Sequence, residues 1–415
     1  MAGNTASSTI RRLDSQAEIT IISQESYPEY TACALPHYLA GELSRRKLFL
    51  RTRKDYARER IKCILGQRVT SLSPENKRVS LETRSLAYDK LILATGSRPL
   101  ILPIKGVELN GVFPLKSLAD AEHILGYTSH TTVVIGSGPI GIETSIALRQ
   151  RGQRVYLIEL LDRIMPRAFD ETPSSLLRNI LEEQGINVLT GEKVTSIVGN
   201  GRVEGIVTDR RRIKCDMVIL GSGMRPNIEM AKAAGVKTGN LGGISINHRM
   251  MTNLDDIYAC GDCVETENEV TGELSLCLLW HNARRQGEVA GNNICGVTRN
   301  YPGSQNITSL NIFGTHAASF GQIAAEINRH DGLEIIERQT GKNYYRLLVS
   351  KSRLIGAQTI GDIPAMGAWL YALIKQDNLD EIKTAIDAET LPLNHWYRRA
   401  ATLRYHAVIT AGNRH

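Results

Sequence analysis

The run Val133-Val134-Ile135-Gly136-Ser137-Gly138-Pro139-Ile140-Gly141 constrains this chain more than any other stretch. The apolar β-branched residues read as a buried strand, the glycines as a tight turn, and the residues behind them as a helix. Gly136 permits the turn, Gly138 lets backbone approach a pyrophosphate, and Gly141 lets helix and strand pack closely. The helix N-terminus adds N–H groups and a positive dipole end. Farther on, Val155-Tyr156-Leu157-Ile158-Glu159 is a second apolar strand closed by a carboxylate. Glu159 can accept hydrogen bonds from both ribose hydroxyls and would repel a 2′-phosphate, which favours NADH over NADPH; Arg163 nearby acts in the opposite sense. A glycine pattern alone is weak, but strand, turn, helix and acid in one βαβ unit predict a dinucleotide site.

The pattern is duplicated. Leu91-Ile92-Leu93-Ala94-Thr95-Gly96 and Asp216-Met217-Val218-Ile219-Leu220-Gly221-Ser222-Gly223 are each an apolar strand ending in a glycine turn. Upstream, Met1-Ala2-Gly3-Asn4-Thr5-Ala6 has only the second half of a nucleotide-binding turn and opens into a helix from Gly3 to Leu13, followed by a strand from Glu18 to Ser23. After residue 305 the character changes, with strands near Leu310, Tyr345 and Leu354 and helices from Ala365. The predicted fold is α/β: two doubly wound, Rossmann-like nucleotide-binding domains plus a C-terminal α+β interface domain.

Composition narrows the class. A chain of 415 residues calls for two or three domains. No run of 18 apolar residues is present, so no membrane span is expected. The polar N-terminal residues lack an apolar signal segment. Seven irregularly spaced cysteines argue for a reducing, cytoplasmic compartment rather than a disulfide framework. The basic stretch from Arg45 to Lys62 is interrupted by Leu48, Phe49, Leu50 and Tyr56 and has no nucleic-acid motif beside it. It reads as a solvated face or an attraction for anionic nucleotides, not as a nucleic-acid site.

Leu254-Asp255-Asp256-Ile257-Tyr258-Ala259-Cys260-Gly261-Asp262 is the second strong signal, a carboxylate placed after a glycine at a strand end, where it can reach a polyol hydroxyl. The Cys260-x-x-Cys263 spacing could be redox or metal-binding, but no second cysteine pair stands at zinc spacing, and no metal site is predicted. Taken with Ala94-Thr95-Gly96 after Tyr88-Asp89 and the Gly136 fingerprint, these residues resemble the FAD-dependent pyridine nucleotide–disulfide oxidoreductases over residues 1 to about 375. The resemblance implies an FAD-binding domain over 1–112, an NAD(H)-binding domain over 113–243, an FAD return segment over 244–305 and an interface or dimerisation domain over 306–415. It implies that Asp262 binds the FAD ribityl chain and that Leu279-Trp280-His281-Asn282-Ala283 begins a helix facing the flavin. Gly3, Ala94, Thr95, Gly96, Gly223, Gly261, Trp280 and Asn282 are accordingly expected at the cofactors. The acidic ribose residue of the first module would fall at Ser23, with Glu25 as its substitute. Because the first strand and first two glycines of the FAD turn are absent, the native chain is expected to begin about a dozen residues upstream.

The subfamily turns on Cys33, in Tyr30-Thr31-Ala32-Cys33-Ala34-Leu35-Pro36-His37-Tyr38. A single cysteine here resembles the branch of NADH oxidases, NADH peroxidases and coenzyme A-disulfide reductases. Ile10-Arg11-Arg12-Leu13-Asp14 resembles the coenzyme A-disulfide reductases, where arginines on this helix meet the coenzyme A phosphates. A cysteine just ahead of a helix begun by Pro36 is expected to have a lowered pKa, suited to thiolate chemistry; the competing reading is a structural cysteine. His37 is either a proton carrier or a packing residue. The tail Leu391-Pro392-Leu393-Asn394-His395-Trp396-Tyr397-Arg398-Arg399 departs from the tyrosine-bearing segment of the coenzyme A-disulfide reductases. It favours electron exchange with an iron–sulfur or rubredoxin-like protein.

The expected protein is therefore an FAD-dependent NAD(P)H oxidoreductase, a homodimer or a subunit of a larger redox complex. Two alternatives stay open. One is an electron-transfer subunit of an iron–sulfur oxidoreductase of the 2-oxoacid or phenylglyoxylate dehydrogenase type. The other is a nucleotide-binding protein without turnover.

Overall fold

The computed structural model describes residues 1–327 and 332–378; the Leu391–Arg399 tail lies outside them. The chain divides into two compact units, one of Met1–Asp162 with Leu181–Gln305, the other of Arg163–Ile180 with Asn306 onward.

In the first unit α1 spans Ala2–Leu13, α2 Leu35–Ala40, α3 Arg53–Arg58, α4 Leu118–Gly126 and α5 Pro139–Gln150. Five parallel strands form its largest sheet, in the order Ile186–Leu189, Arg154–Ile158, Thr131–Ile135, Met217–Leu220, Val112–Pro114. The two central strands, Thr131–Ile135 and Met217–Leu220, are nearly continuous runs of buried apolar side chains, as strands covered on both faces must be. An antiparallel meander, Val194–Val198, Gly205–Thr208 and Arg212–Lys214, packs Ile197, Ile206 and Ile213 with Val133, Val218 and Leu220.

The other half of this unit has two separate parallel pairs, Ile19–Ser23 with Ile61–Leu65 and Leu91–Leu93 with Ile257–Ala259. α1 packs on the helix Trp280–Ile294, with small residues at the contact. A Cβ on Gly287 would lie 2.3 Å from the Ala2 carbonyl oxygen, and one on Gly291 2.8 Å from that of Ala6.

The duplicated glycine turns meet. Ser97–Pro99, after the first, pairs antiparallel with Met224–Pro226, after the second. The Thr95 hydroxyl donates to the Asn227 carbonyl at 2.6 Å, and the Asn227 amide donates to the Thr95 carbonyl at 2.9 Å.

In the second unit five antiparallel strands run in the order Ile307–Ile312, Thr315–Gly321, Arg353–Ile360, Asn343–Ser350, Glu334–Thr340. α6 (Glu171–Glu183) crosses the division of the units, α7 (Glu229–Ala233) lies in the first, and α8 is the helix Trp280–Ile294 already described. α9 (Met366–Lys375) covers the strand Arg353–Ile360. Asp170 is buried here; it accepts the Gln358 amide at 2.6 Å and lies 3.3 Å from the Arg346 guanidinium.

Candidate functional site

The three fingerprint glycines divide their duties. Gly136 has φ +100°, and a Cβ there would lie 2.5 Å from the Gly221 carbonyl oxygen. A Cβ on Gly141 would come within 2.0 Å of the Gly136 carbonyl oxygen. These two are required by the protein's own packing. Gly138 is different: nothing stands within 4 Å of the position a Cβ would take. The open backbone before α5, with no side-chain cap on that helix, fits a pyrophosphate. Gly223, at φ +113°, and Gly96, at φ +68°, likewise face open space. Glu159 is buried, and its carboxylate is aimed by the Ser137 N–H at 2.9 Å, the Ser137 hydroxyl at 2.6 Å and the Leu161 N–H at 3.0 Å.

The second cluster centres on Asp262. Gly261, at φ +84°, turns the chain after Ala259, and its N–H donates to the Gln286 amide oxygen at 2.7 Å. The Asp262 carboxylate accepts the Ser97 hydroxyl at 2.7 Å and lies 3.4 Å from the Lys116 ammonium. Gly3 sits against Ala94, whose Cβ would be 3.3 Å from one on the glycine. Helix α8 starts at Trp280 behind Leu279, with no side-chain cap. Asn282 is fully engaged inside the protein: it donates to the Cys277 sulfur and the Gln305 carbonyl and accepts from the Tyr301 hydroxyl and the Gln305 N–H. At this helix end the free donors are therefore backbone N–H groups. Glu25 accepts the Tyr30 hydroxyl at 2.6 Å. Beside α1, Glu29 lies 3.6 Å from both the Met1 ammonium and the Arg51 guanidinium, and one Arg51 nitrogen is buried without a hydrogen-bond partner.

Cys33 occupies a 3-10 turn, Ala32–Ala34, ahead of α2, and α2 packs against α5. Its thiol is exposed at the surface, yet protein surrounds much of it. That surrounding pushes its pKa up. Desolvation is the largest cause, the Glu143 and Asp262 carboxylates add to it, and the Lys116 ammonium opposes it. The expected lowering by the helix N-terminus is corrected: α2 has six residues and Cys33 lies ahead of it, so its dipole is outweighed by burial and two acids. Glu143, on α5, is itself pushed up to about 7 by burial, with His37 acting against the shift. His37 contacts Glu42 at 2.6 Å. Cys260 and Cys263 are both buried with raised pKa values, desolvation leading in each. Among the described residues no cluster of His, Cys, Asp or Glu could hold a metal.

Of the two arginines expected at a phosphate, Arg12 is exposed, while Arg11 departs from that expectation. Its guanidinium donates to the carbonyl oxygens of Asp14, Ser15, Ala17, Glu59 and Arg60. It closes the C-terminus of α1 and has no donor left for a phosphate. Sequence reading missed three residues that border these clusters: Lys116 and Glu143, which act on Cys33, and Gln286, which accepts the Gly261 N–H. Gln286 was the most legible of them, since it stands one turn from Asn282 on the small-residue face of α8.

Two nucleotide modules that meet across paired glycine turns, with a thiol beside them, define a flavin- and nicotinamide-dependent oxidoreductase. The pyridine nucleotide-disulphide oxidoreductase family matches residues 1–287, and the rubredoxin NAD+ reductase C-terminal domain matches residues 307–378. The chain belongs to the pyridine nucleotide-disulphide oxidoreductase family. It is 36% identical over 335 residues to an NADH oxidase of Methanocaldococcus jannaschii, covering 77% of this chain and 75% of that protein. It is 32% identical over 374 residues to the assimilatory nitrate reductase electron transfer subunit of Bacillus subtilis, covering 89% of this chain but only 47% of that protein. A NAD-dependent persulfide reductase from A. fulgidus superposes with a TM-score of 0.85 at 31% identity, over 92% of this chain and 76% of that structure. The protein is an NAD(P)H-dependent flavoprotein oxidoreductase that uses FAD and NAD(H). No helix among the described residues is long and apolar enough to cross a membrane.

Proposed function

We propose that this chain oxidises NADH and reduces a small sulfur acceptor, a low-molecular-weight disulfide or persulfide, through Cys33. The observation that carries this reading is the placement of one reachable thiol among Lys116, Asp262 and Glu143. Gly136, Gly138, Gly141, Glu159 and Gly223 hold the nicotinamide dinucleotide. Gly3, Glu25, Ala94, Thr95, Gly96, Gly261, Asp262 and Trp280 hold FAD, with Lys116 beside the Asp262 carboxylate; Asn282 contributes through its backbone N–H, its side chain being engaged within the protein. FAD, when bound, supplies a two-electron relay between the nicotinamide and the acceptor. The division into FAD, NAD(H), FAD-return and interface segments over 1–112, 113–243, 244–305 and 306–415 belongs to the same reading, as does a homodimer.

The protein's part in the chemistry is nucleophilic and acid–base. Glu143, with a pKa near neutrality, takes the Cys33 proton. The thiolate attacks one sulfur of the acceptor, the S–S bond breaks, and the other sulfur leaves as a thiol after taking up a proton. Two electrons originating in NADH then break the mixed disulfide, the bound half takes up a proton and leaves as a second thiol, and the Cys33 thiolate is regenerated.

The match of residues 307–378 to a rubredoxin NAD+ reductase domain supports a second reading, in which the acceptor is an electron-carrier protein.

An anaerobic NADH titration of the holoenzyme and of Cys33→Ser tests the two. A long-wavelength thiol–flavin absorption band lost in Cys33→Ser, together with loss of persulfide turnover, supports thiol chemistry. Unchanged turnover with every acceptor in Cys33→Ser would overturn it.

A further inference from the structure

Residues 45–62 contain nine Lys or Arg and two acids, so this stretch alone carries the chain's formal net charge of +7 and the remaining residues balance. The fold neutralises only part of it. Arg45 pairs with Glu122, Arg51 with Glu29 and Glu59, and Arg58 with Asp55. Both acids of the stretch are thereby committed. Arg46, Lys47, Arg53, Lys54 and Lys62 are exposed, and their side chains form no hydrogen bond or ion pair with a described residue. Arg60 is exposed as well, and its guanidinium reaches only the Ser15 carbonyl. The stretch is ordered by its apolar residues, since Leu48 and Tyr56 are buried, and by the Thr52–Asp55 capping box of α3. It is also joined to the redox thiol's own segment. The Thr31 N–H donates to the Leu48 carbonyl at 2.9 Å, and Tyr30 bridges Phe49, three residues before Cys33.

We propose that this cationic face, through Arg46, Lys47, Arg53 and Lys54, docks an acidic electron-carrier protein beside Cys33. The inference rests on the second reading above. Like charges left unpaired on one face repel one another and are relieved by a partner of opposite sign, which also gains rate from steering. A phosphate-bearing small molecule fits less well, because the N-terminus of α3 is closed by its own Asp55 carboxylate and Arg11 is engaged by carbonyls. A nucleic acid fits less well too: single strands bind by stacking on exposed aromatic rings, whereas Phe49 packs on Tyr27 and Tyr30, and Tyr56 is buried.

The test uses the FAD-loaded full chain and a rubredoxin of net negative charge as probe. Binding is measured by calorimetry and electron flow by NADH-driven reduction. Charge reversal in Arg46→Glu/Lys47→Glu/Arg53→Glu/Lys54→Glu should raise the Kd by at least about ten-fold at low salt and flatten its salt dependence. Reduction of uncharged menadione should stay unchanged. The milder Arg46→Gln/Lys54→Gln variant should shift the Kd in the same direction, which covers a failure of the reversed chain to fold. Rubredoxin binding that ignores both variants overturns the docking face, even where rubredoxin is reduced and the protein-acceptor reading stands. Face-dependent binding without reduction keeps the face and removes that reading. Tighter binding of a single-stranded oligonucleotide than of rubredoxin at about 150 mM salt overturns the proposal in favour of nucleic acid.

Discussion

The ammonium of Lys116 lies 3.4 Å from the carboxylate of Asp262, and both groups act on the Cys33 thiol with opposite sign. Lys116 favours the thiolate and Asp262 disfavours it. Lys116→Met should raise the thiol pKa further and slow alkylation of Cys33 near pH 8 by about three- to ten-fold. The pH profile of iodoacetamide labelling, followed by intact mass, reads this directly. A profile unmoved by the substitution would show that Lys116 does not govern the thiol.

Glu159 is held by Ser137 and Leu161 before any cofactor arrives. With Glu159 at the ribose as proposed, removing its carboxylate costs about 1.5–3 kcal/mol, on the order of 10–100-fold in kcat/KM for NADH. Glu159→Ala should therefore lower the NADH-to-NADPH ratio of kcat/KM, by losing NADH and admitting the 2′-phosphate. Steady-state kinetics with both nucleotides decides it.

Glu143 is raised by burial from 4.5 to about 7. The folded chain therefore binds more protons at this site than the unfolded chain between those two values. Its contribution to stability falls as pH rises through that window and is least favourable above it. Glu143→Gln should flatten this part of the pH–stability curve. It should also remove a limb near neutrality from the kcat/KM profile for a persulfide acceptor. A limb that survives in the Gln variant belongs to another group.

Arg11 closes α1 through five carbonyl groups. Charged hydrogen bonds contribute about 1.5–3 kcal/mol each but not additively, so Arg11→Met should cost about 2 kcal/mol or more in urea unfolding. The KM for a coenzyme A persulfide should not change. A raised KM at constant stability would restore the phosphate role.

Gly287 leaves room for the Ala2 carbonyl, and a Cβ would stand 2.3 Å from that oxygen. Backbone cannot retreat as a side-chain tip can. Gly287→Val should destabilise by about 1–3 kcal/mol and separate α1 from α8. Chemical denaturation with a fluorescence readout measures it.

Local signals could be read without the fold. Apolar runs broken by glycine marked Thr131–Ile135 and Met217–Leu220, and the turn that follows each, because strand burial and turn geometry are set by neighbouring residues. The same holds for α1, which begins at Ala2, and for the strand Ile19–Ser23. The Gly136 fingerprint and Asp262 are legible because one short segment carries strand, turn and acid together.

Tertiary structure alone decided the rest. Lys116 and Asp262 are 146 residues apart, and nothing around either one names the other. The sign of the Cys33 shift reversed for the same reason. A helix start is a local feature, while burial and the charges of Glu143 and Asp262 arrive from distant segments. Arg11 looks like a phosphate ligand in sequence and proves to be a cap, because its carbonyl partners at Glu59 and Arg60 come from another part of the chain. Sequence by itself determined which elements form and which cofactors they suit, since those depend on periodicity and turn chemistry. Which charges face the thiol, and which arginines remain free, depended on long-range packing, because electrostatic energy follows distance in space rather than position along the chain.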